Sequence, residues 1–311
     1  MLVTQTVSTI PTTMADVLAP MRLSEFLSDY WTKSFLHQSG EADRFSGLCS
    51  WELVNSILDS STLQPPQIKI TKNGITVPPT QYIDFRDRDF PRVDPRGLLK
   101  QLQHGAMLEM NCVERTHESL RVLTTNLHSM FNASTFAMIF ANFRTAKGFN
   151  LHWDAHEVLV FQIDGRKLWK VYRPTLPVPL KTGHQQADMP TGEPVFEAII
   201  EPGSFLYIPR GWWHVAYPLD EPSFHLSIGI RVPSGIDMLE WFAKHLRHSA
   251  IGRQDIPLSK EDRIAYAQEL IAQINQTWSP ELLDQFLDVF LDRSKPLTTN
   301  NLPDMEDVAS I

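Results

Sequence analysis

The sequence predicts a mainly β fold with flanking helices, built on a double-sheet jelly roll or barrel and closed by a helical C-terminal region. Three observations carry that expectation. Between residues 136 and 232, seven short apolar segments follow one another with few helical stretches between them. Turn signals, Asp164-Gly165 and Pro202-Gly203, separate several of them. Before and after this block, apolar residues recur instead at helical spacing.

Residues 1–22 mix Thr, Ser, Pro and small side chains without a period, so a flexible start is expected. Met21 to Phe35 carries Leu23, Phe26, Leu27, Tyr30 and Trp31 at helical spacing. Ser50 is placed to cap a second helix, with Trp51, Val54, Ile57 and Leu58 on one side. Asn73-Gly74 between two alternating runs predicts a two-residue hairpin. Asp94-Pro95 opens a further helix that Gly105 stops. A strand through Leu108, Met110 and Cys112 follows, then a helix from Thr116 through Phe131.

The seven predicted strands are 136–142, 151–154, 158–163, 166–172, 195–200, 205–208 and 224–232. Residues 174–194 hold five prolines and read as a long surface loop. After Ser234 the period becomes helical again, with Ser259 and Asp262 as a capping box and Ser279-Pro280 starting a last helix. Residues 296–311 read as a flexible tail.

Composition narrows the class. The 311 residues are 42% hydrophobic, enough for a large core. A formal net charge of −8 gives nucleic acid and anionic membranes no global attraction. Two cysteines, Cys49 and Cys112, are too few for a disulfide scaffold. No stretch approaches the roughly 20 apolar residues of a membrane span, and the first basic residue is Arg22. The expectation is a cytoplasmic protein with no membrane contact.

One stretch carries chemistry. Asn150 to Gln162 begins with His152, Asp154, His156 and Glu157 and ends as an apolar strand. Residues i and i+2 of a strand share a face, so His152 and Asp154 project together. His214 follows 62 positions later, after the strand Phe205-Leu-Tyr-Ile and a turn. Two imidazoles and one carboxylate on one side of a metal suit non-haem Fe(II) and O2. The competing reading is a hydrogen-bonded His–Asp pair and an unrelated surface histidine. Downstream, Lys167, Trp169 and Val171 share a face; an inward Lys167 needs an anion, which a dicarboxylic cosubstrate would supply. Alternatively Lys167 faces water and Arg166 points inward.

His152-Trp-Asp154, the run from Glu157 to Tyr172, and Leu206-Tyr-Ile-Pro-Arg-Gly-Trp-Trp-His214 resemble the JmjC (cupin-like) Fe(II)/2-oxoglutarate-dependent oxygenases, nearest to their ribosomal-oxygenase-like branch. The strand Phe224-His-Leu-Ser-Ile-Gly-Ile and the segment Phe26-Leu-Ser-Asp-Tyr-Trp-Thr-Lys fit the same pattern. The resemblance implies a double-stranded β-helix core in a catalytic domain over 23–232, preceded by its own helices. It implies Fe(II) on His152, Asp154 and His214, with O2 and 2-oxoglutarate as cosubstrates and Lys167 on the distal carboxylate. Asn142 and Ser227 match residues near the cosubstrate.

Arg144 stands where the family carries a tyrosine facing the cosubstrate, which assigns Arg144 to that pocket. His156 shares the parity of the ligands, or else is an exposed turn residue; Glu157 is expected to orient neighbours.

The implied activity is hydroxylation of a C–H bond in a protein or peptide side chain. A small-molecule natural product and a tRNA nucleoside are alternative substrates, and a non-oxidative metal-binding cupin is an alternative of another class. The helical region 233–295 is expected to form a homodimer, because Leu282, Leu283, Phe286, Val289 and Phe290 give more apolar surface than one short helix buries.

Overall fold

The computed structural model describes residues 10–59, 63, 65–87, 89, 91–180 and 188–294. The first nine residues, the tail from 295 and positions 181–187 of the predicted surface loop lie outside the described residues.

Helices α1 (Met14–Leu18) and α2 (Leu23–Asp29) lead into strand β1 (Leu36–Gln38) and helix α3 (Trp51–Asp59). The flexible start expected over 1–22 does not extend that far. Thr13 and Asp16 form a capping box, and Met14, Val17 and Leu18 are buried in the main core. One helical turn is too short for a period to show in the sequence. The helix read from Met21 to Phe35 stops at Asp29. Thr32 takes a left-handed φ of 61° and donates its N–H to the Tyr207 hydroxyl at 2.8 Å. The chain then enters β1, which no alternation announced.

The hairpin β2 (Ile68–Lys72) to β3 (Ile75–Thr76) turns on Asn73 and Gly74, both at positive φ as a two-residue turn requires. Two short strands, β4 (Ile83–Asp84) and β5 (Arg92–Val93), pair with each other. Helix α4 (Pro95–Gln103) starts at Asp94, whose side chain accepts from the Arg96 N–H, and ends before Gly105 at φ 88°. Strand β6 (Met107–Asn111) and helix α5 (Glu118–Phe131) follow.

The remaining strands are β7 (Ser134–Asn142), β8 (Glu157–Asp164), β9 (Lys167–Tyr172), β10 (Phe196–Ile200), β11 (Phe205–Ile208), β12 (Trp213–Pro218) and β13 (Ser223–Arg231). With β1, β2, β3 and β6 they form an eight-stranded sheet, β1-β11-β8-β13-β7-β6-β2-β3, and a three-stranded sheet, β10-β9-β12. Every pairing is antiparallel.

The large sheet is covered on both faces. Leu159, Phe161 and Ile163 of β8 join the core shared with the N-terminal helices, whereas Val158 and Val160 join the core shared with the small sheet. That double covering is why β8 reads as a near-continuous apolar run rather than an alternating one. Removing Phe161, which is fully buried, would cost about 3–5 kcal/mol through lost burial and the cavity left.

Two strand expectations need correction. Residues 151–154 are not a strand; only His152 makes a bridge, to His214. And β12, read as part of a turn, is a strand paired with β9, because His214, Val215 and Ala216 find ladder partners there.

Beyond β13, a Ser234–Asp237 capping box opens α6 (Gly235–His245), followed by α7 (Ala250–Arg253), α8 (Lys260–Thr277) and α9 (Pro280–Ser294). Met238, Phe242, Leu282 and Phe286 of α6 and α9 make a small separate core. Helix α8 buries none of its residues; Ile264 and Ile271 are 55% and 57% exposed. No described helix is long and apolar enough to cross a membrane.

Candidate metal centre

His152, Asp154 and His214 come together at one end of the space between the two sheets. Each offers a ligand atom, and the three atoms lie within 4.8 Å of one another. Asp154 Oδ2 is 3.3 Å from His214 Nε2 and 4.0 Å from His152 Nε2. Backbone, not packing, sets this arrangement. His214 sits in β12, while His152 is held against it by its single bridge, and the Asp154 carbonyl accepts from the Gly211 N–H at 2.9 Å. Gly211 has a φ of 84°, and a Cβ there would come within 2.6 Å of Pro179. The turn that presents the third ligand therefore requires glycine.

Both imidazoles are turned the same way. His152 Nδ1 lies 2.8 Å from the Asn150 carbonyl and His214 Nδ1 lies 3.0 Å from the Trp212 carbonyl. A carbonyl only accepts, so each Nδ1 carries the proton and each Nε2 presents its lone pair to the shared centre. That is the usual outer support of a metal-binding histidine. Burial, with His214 next to it, pushes the His152 pKa down to about 4, which keeps that ring neutral. Burial alone would raise the Asp154 carboxyl; the adjacent His214 and the other neighbouring histidines outweigh it and hold Asp154 well below the usual carboxylate range. Two imidazoles and one carboxylate form a donor set for a divalent ion of the iron type. The His152 and Asp154 side chains remain about one-third exposed (36% and 31%), so the centre opens outward.

The centre borders a cavity of about 260 Å³ that also reaches Phe140, Asn142, Lys167, Trp169 and Ser227. Lys167 is buried at the start of β9, and Trp169 and Val171 share its face. Arg166 points outward instead, to Glu221 at 3.0 and 3.1 Å. Lys167 Nζ donates to the Phe140 carbonyl and to His225 Nδ1, both at 3.0 Å. Burial draws its pKa down to about 7. No Asp or Glu among the described residues pairs with it, so this buried amine lacks a protein counter-ion. Trp169 is 4% exposed, and its indole N–H has no acceptor among the described residues. A buried amine and an unused donor on one wall fit an anionic ligand.

Asn142 and Ser227, both 3% exposed, line the cavity. Arg144 does not. Its side chain is 61% exposed and its nearest ion partner is Asp220 at 3.9 Å. The strand that carries Asn142 into the cavity ends at that residue, so position 144 lies beyond it. A guanidinium also gains more from water than from an apolar wall. The assignment of Arg144 to the cosubstrate pocket is therefore withdrawn.

His156 lines the cavity with its ring edge-on to Phe136, at 5.0 Å between centroids. Glu157 turns away from the cavity and accepts from the Tyr207 hydroxyl. His225, stacked on Phe140 at 5.1 Å, was missed; its parity with Ser227 on β13 was the available signal.

A family model for the JmjC domain matches residues 114–238. The chain is 28% identical over 219 residues to the Drosophila persimilis bifunctional lysine-specific demethylase and histidyl-hydroxylase NO66, covering 70% of this chain and 31% of the relative. It is 27% identical over 220 residues to human ribosomal oxygenase 1, covering 68% and 33%. It thus spans about a third of the length of these relatives. The Bacillus subtilis protein YxbC is 26% identical over 314 residues, covering 90% of this chain and 92% of that protein.

Among solved structures, YcfD, a ribosomal oxygenase from Escherichia coli, shares the fold with a TM-score of 0.61 at 19% identity, over 92% of this chain and 74% of that one. Another YcfD structure, at a TM-score of 0.60 and 19% identity over 92% and 75%, is a complex with cobalt and 2-oxoglutarate. Residues 114–238 thus match the JmjC domain, and the chain as a whole is similar in sequence and in fold to ribosomal oxygenases.

Proposed function

We propose that the protein is an Fe(II)- and 2-oxoglutarate-dependent oxygenase that hydroxylates a C–H bond in a protein or peptide side chain. The observation that carries this reading is one cavity with two complementary groups in its lining. His152, Asp154 and His214 converge there within 4.8 Å of one another, and buried Lys167, without a protein counter-ion among the described residues, lines the same space. When bound, iron with 2-oxoglutarate and O2 supplies the oxidant for an unactivated C–H bond.

The chain's own residues have distinct tasks. His152, Asp154 and His214 would hold iron, and the Asn150 and Trp212 carbonyls keep the two Nε2 atoms available. Lys167 would bind the distal carboxylate of 2-oxoglutarate through a charge-assisted hydrogen bond. Asn142 and Ser227 offer polar contacts along the cosubstrate, and Phe140, Val158 and Trp169 exclude water from it.

The relatives' names supply the substrate class: one is called a histidyl-hydroxylase and the other a ribosomal oxygenase. A cavity of about 260 Å³ is small for a ligand pocket. Once a dicarboxylate is bound, a single side chain entering from the open, ligand-bearing end suits the space that remains. A cupin without oxidative chemistry has no use for the Lys167 anchor.

We further propose a homodimer formed through α8, supported by the apolar side chains that it leaves uncovered; of the α9 residues expected to face a partner, Leu282 and Phe286 are buried against α6 instead and Leu283 is exposed. A cytoplasmic location is supported by two free thiols, Cys49 and Cys112.

The test is incubation of the protein with iron, ascorbate, 2-oxoglutarate and a cell extract. Peptides that gain one oxygen, together with succinate release, are expected. Oxygen gained only by low-mass metabolites would overturn the substrate class, and no succinate from any mixture would overturn the activity.

A further inference from the structure

Lys167 begins in the small sheet, yet its ammonium is held by the large one. Both of its acceptors belong to one cross-strand pair, Phe140 on β7 and His225 on β13, which are direct register partners. The Phe140 carbonyl and His225 Nδ1 each stand 3.0 Å from Nζ. The His225 ring is fixed from two sides, stacked on Phe140 at 5.1 Å and edge-on to Trp169 at 5.3 Å. It is 5% exposed and lines the cavity. An ammonium has three N–H groups, so two are engaged and the third has no acceptor among the described residues.

We infer that His225 is the positioning residue of the cosubstrate anchor: its Nδ1 holds the Lys167 ammonium so that the remaining N–H is offered to the ligand's distal carboxylate. This rests on the reading above that the cavity takes 2-oxoglutarate. The residue type matters. A carboxylate at position 225 would neutralise Lys167 and repel a dicarboxylate, whereas a neutral imidazole accepts one hydrogen bond and leaves the positive charge unspent. Because Nδ1 accepts from lysine, the ring proton resides on Nε2, and the ring cannot turn over without losing that bond. The apolar body of the ring, against Phe140 and Trp169, also keeps water from competing for Nζ.

The experiment compares wild type, His225→Phe and His225→Asn, each loaded with Mn(II) in place of iron so that no turnover occurs. Calorimetry measures the binding of 2-oxoglutarate and of 2-oxopentanoate, which has the same keto acid end but lacks the distal carboxylate. Phe keeps a ring of similar shape without the acceptor, and Asn restores an acceptor near the Nδ1 position.

His225→Phe is expected to weaken 2-oxoglutarate about 10- to 100-fold, with Mn(II) and 2-oxopentanoate binding within about threefold of wild type. His225→Asn is expected to recover most of the lost affinity. Equal 2-oxoglutarate affinity in wild type and His225→Phe would overturn the inference, and so would an equal loss of both keto acids. If His225→Phe does not fold, His225→Leu against His225→Asn makes the same comparison. Wild type that binds Mn(II) but no 2-oxoglutarate would instead remove the oxygenase reading itself.

Discussion

His152 and His214 face each other as an isolated antiparallel bridge, each amide donating to the other's carbonyl, at 3.2 and 2.7 Å. Their rings are consequently 4.4 Å apart between centroids. The proposed metal ligands are thus held by main chain, and a side-chain substitution at either position leaves the bridge intact. That separates metal loss from fold loss, which makes the site testable.

Mn(II) or Co(II) should raise the melting temperature of the wild-type protein. An ion at about a hundred times its dissociation constant contributes roughly 2.7 kcal/mol, a shift of a few degrees for a chain of this size. Asp154→Ala should show no such shift while melting cooperatively. A metal-dependent rise that survives in Asp154→Ala and in His214→Ala would place the ion elsewhere.

Affinity for 2-oxoglutarate should fall as the pH rises above about 7. Burial draws the Lys167 pKa down to about 7, so the free protein holds this amine increasingly neutral above that pH. A bound carboxylate favours the ammonium, so binding above pH 7 must take up a proton. Calorimetry in buffers of different ionisation enthalpy reads that uptake directly. Lys167→Ala should weaken binding about 10- to 100-fold and abolish the uptake, whereas Arg144→Ala, at an exposed position, should change neither. Proton release on binding would contradict the assignment.

Tyr207→Phe should destabilise the protein by about 1–3 kcal/mol without changing metal affinity. The Tyr207 hydroxyl donates to buried Glu157 and accepts from the Thr32 N–H at 2.8 Å, so its loss leaves a buried carboxyl and a backbone N–H without this partner. Burial already raises the Glu157 pKa, and losing the donor raises it further. Urea unfolding at neutral pH measures the cost; an unchanged midpoint would show that water replaces the hydroxyl.

The full chain should be a dimer in solution, and Ile264→Glu with Ile271→Glu should make it a monomer. Both side chains are more than half exposed on α8, a helix with no buried residue, so charge there costs the lone chain little. Light scattering over a concentration series gives the mass. A wild-type monomer at high concentration would end the idea.

Much of this protein is readable before folding. The Asn73-Gly74 turn, the Asp94-Pro95 helix start and the apolar run of β8 follow from local rules, because turn conformation, capping and burial leave marks within a few residues. The grouping of His152, Asp154 and His214 was also legible, through residue type and family likeness rather than strand parity, since 151–154 is not a strand.

Tertiary structure decided the rest. Whether Lys167 or Arg166 turns inward depends on which face of β9 the large sheet covers, and a period of two does not state that. Arg144 left the pocket because β7 ends two residues earlier. His225 became a partner of Lys167 only when two sheets, joined by no local pairing, closed over the same space. Contacts between facing sheets join residues far apart in the chain, here 58 positions, and no local pattern encodes such a distance.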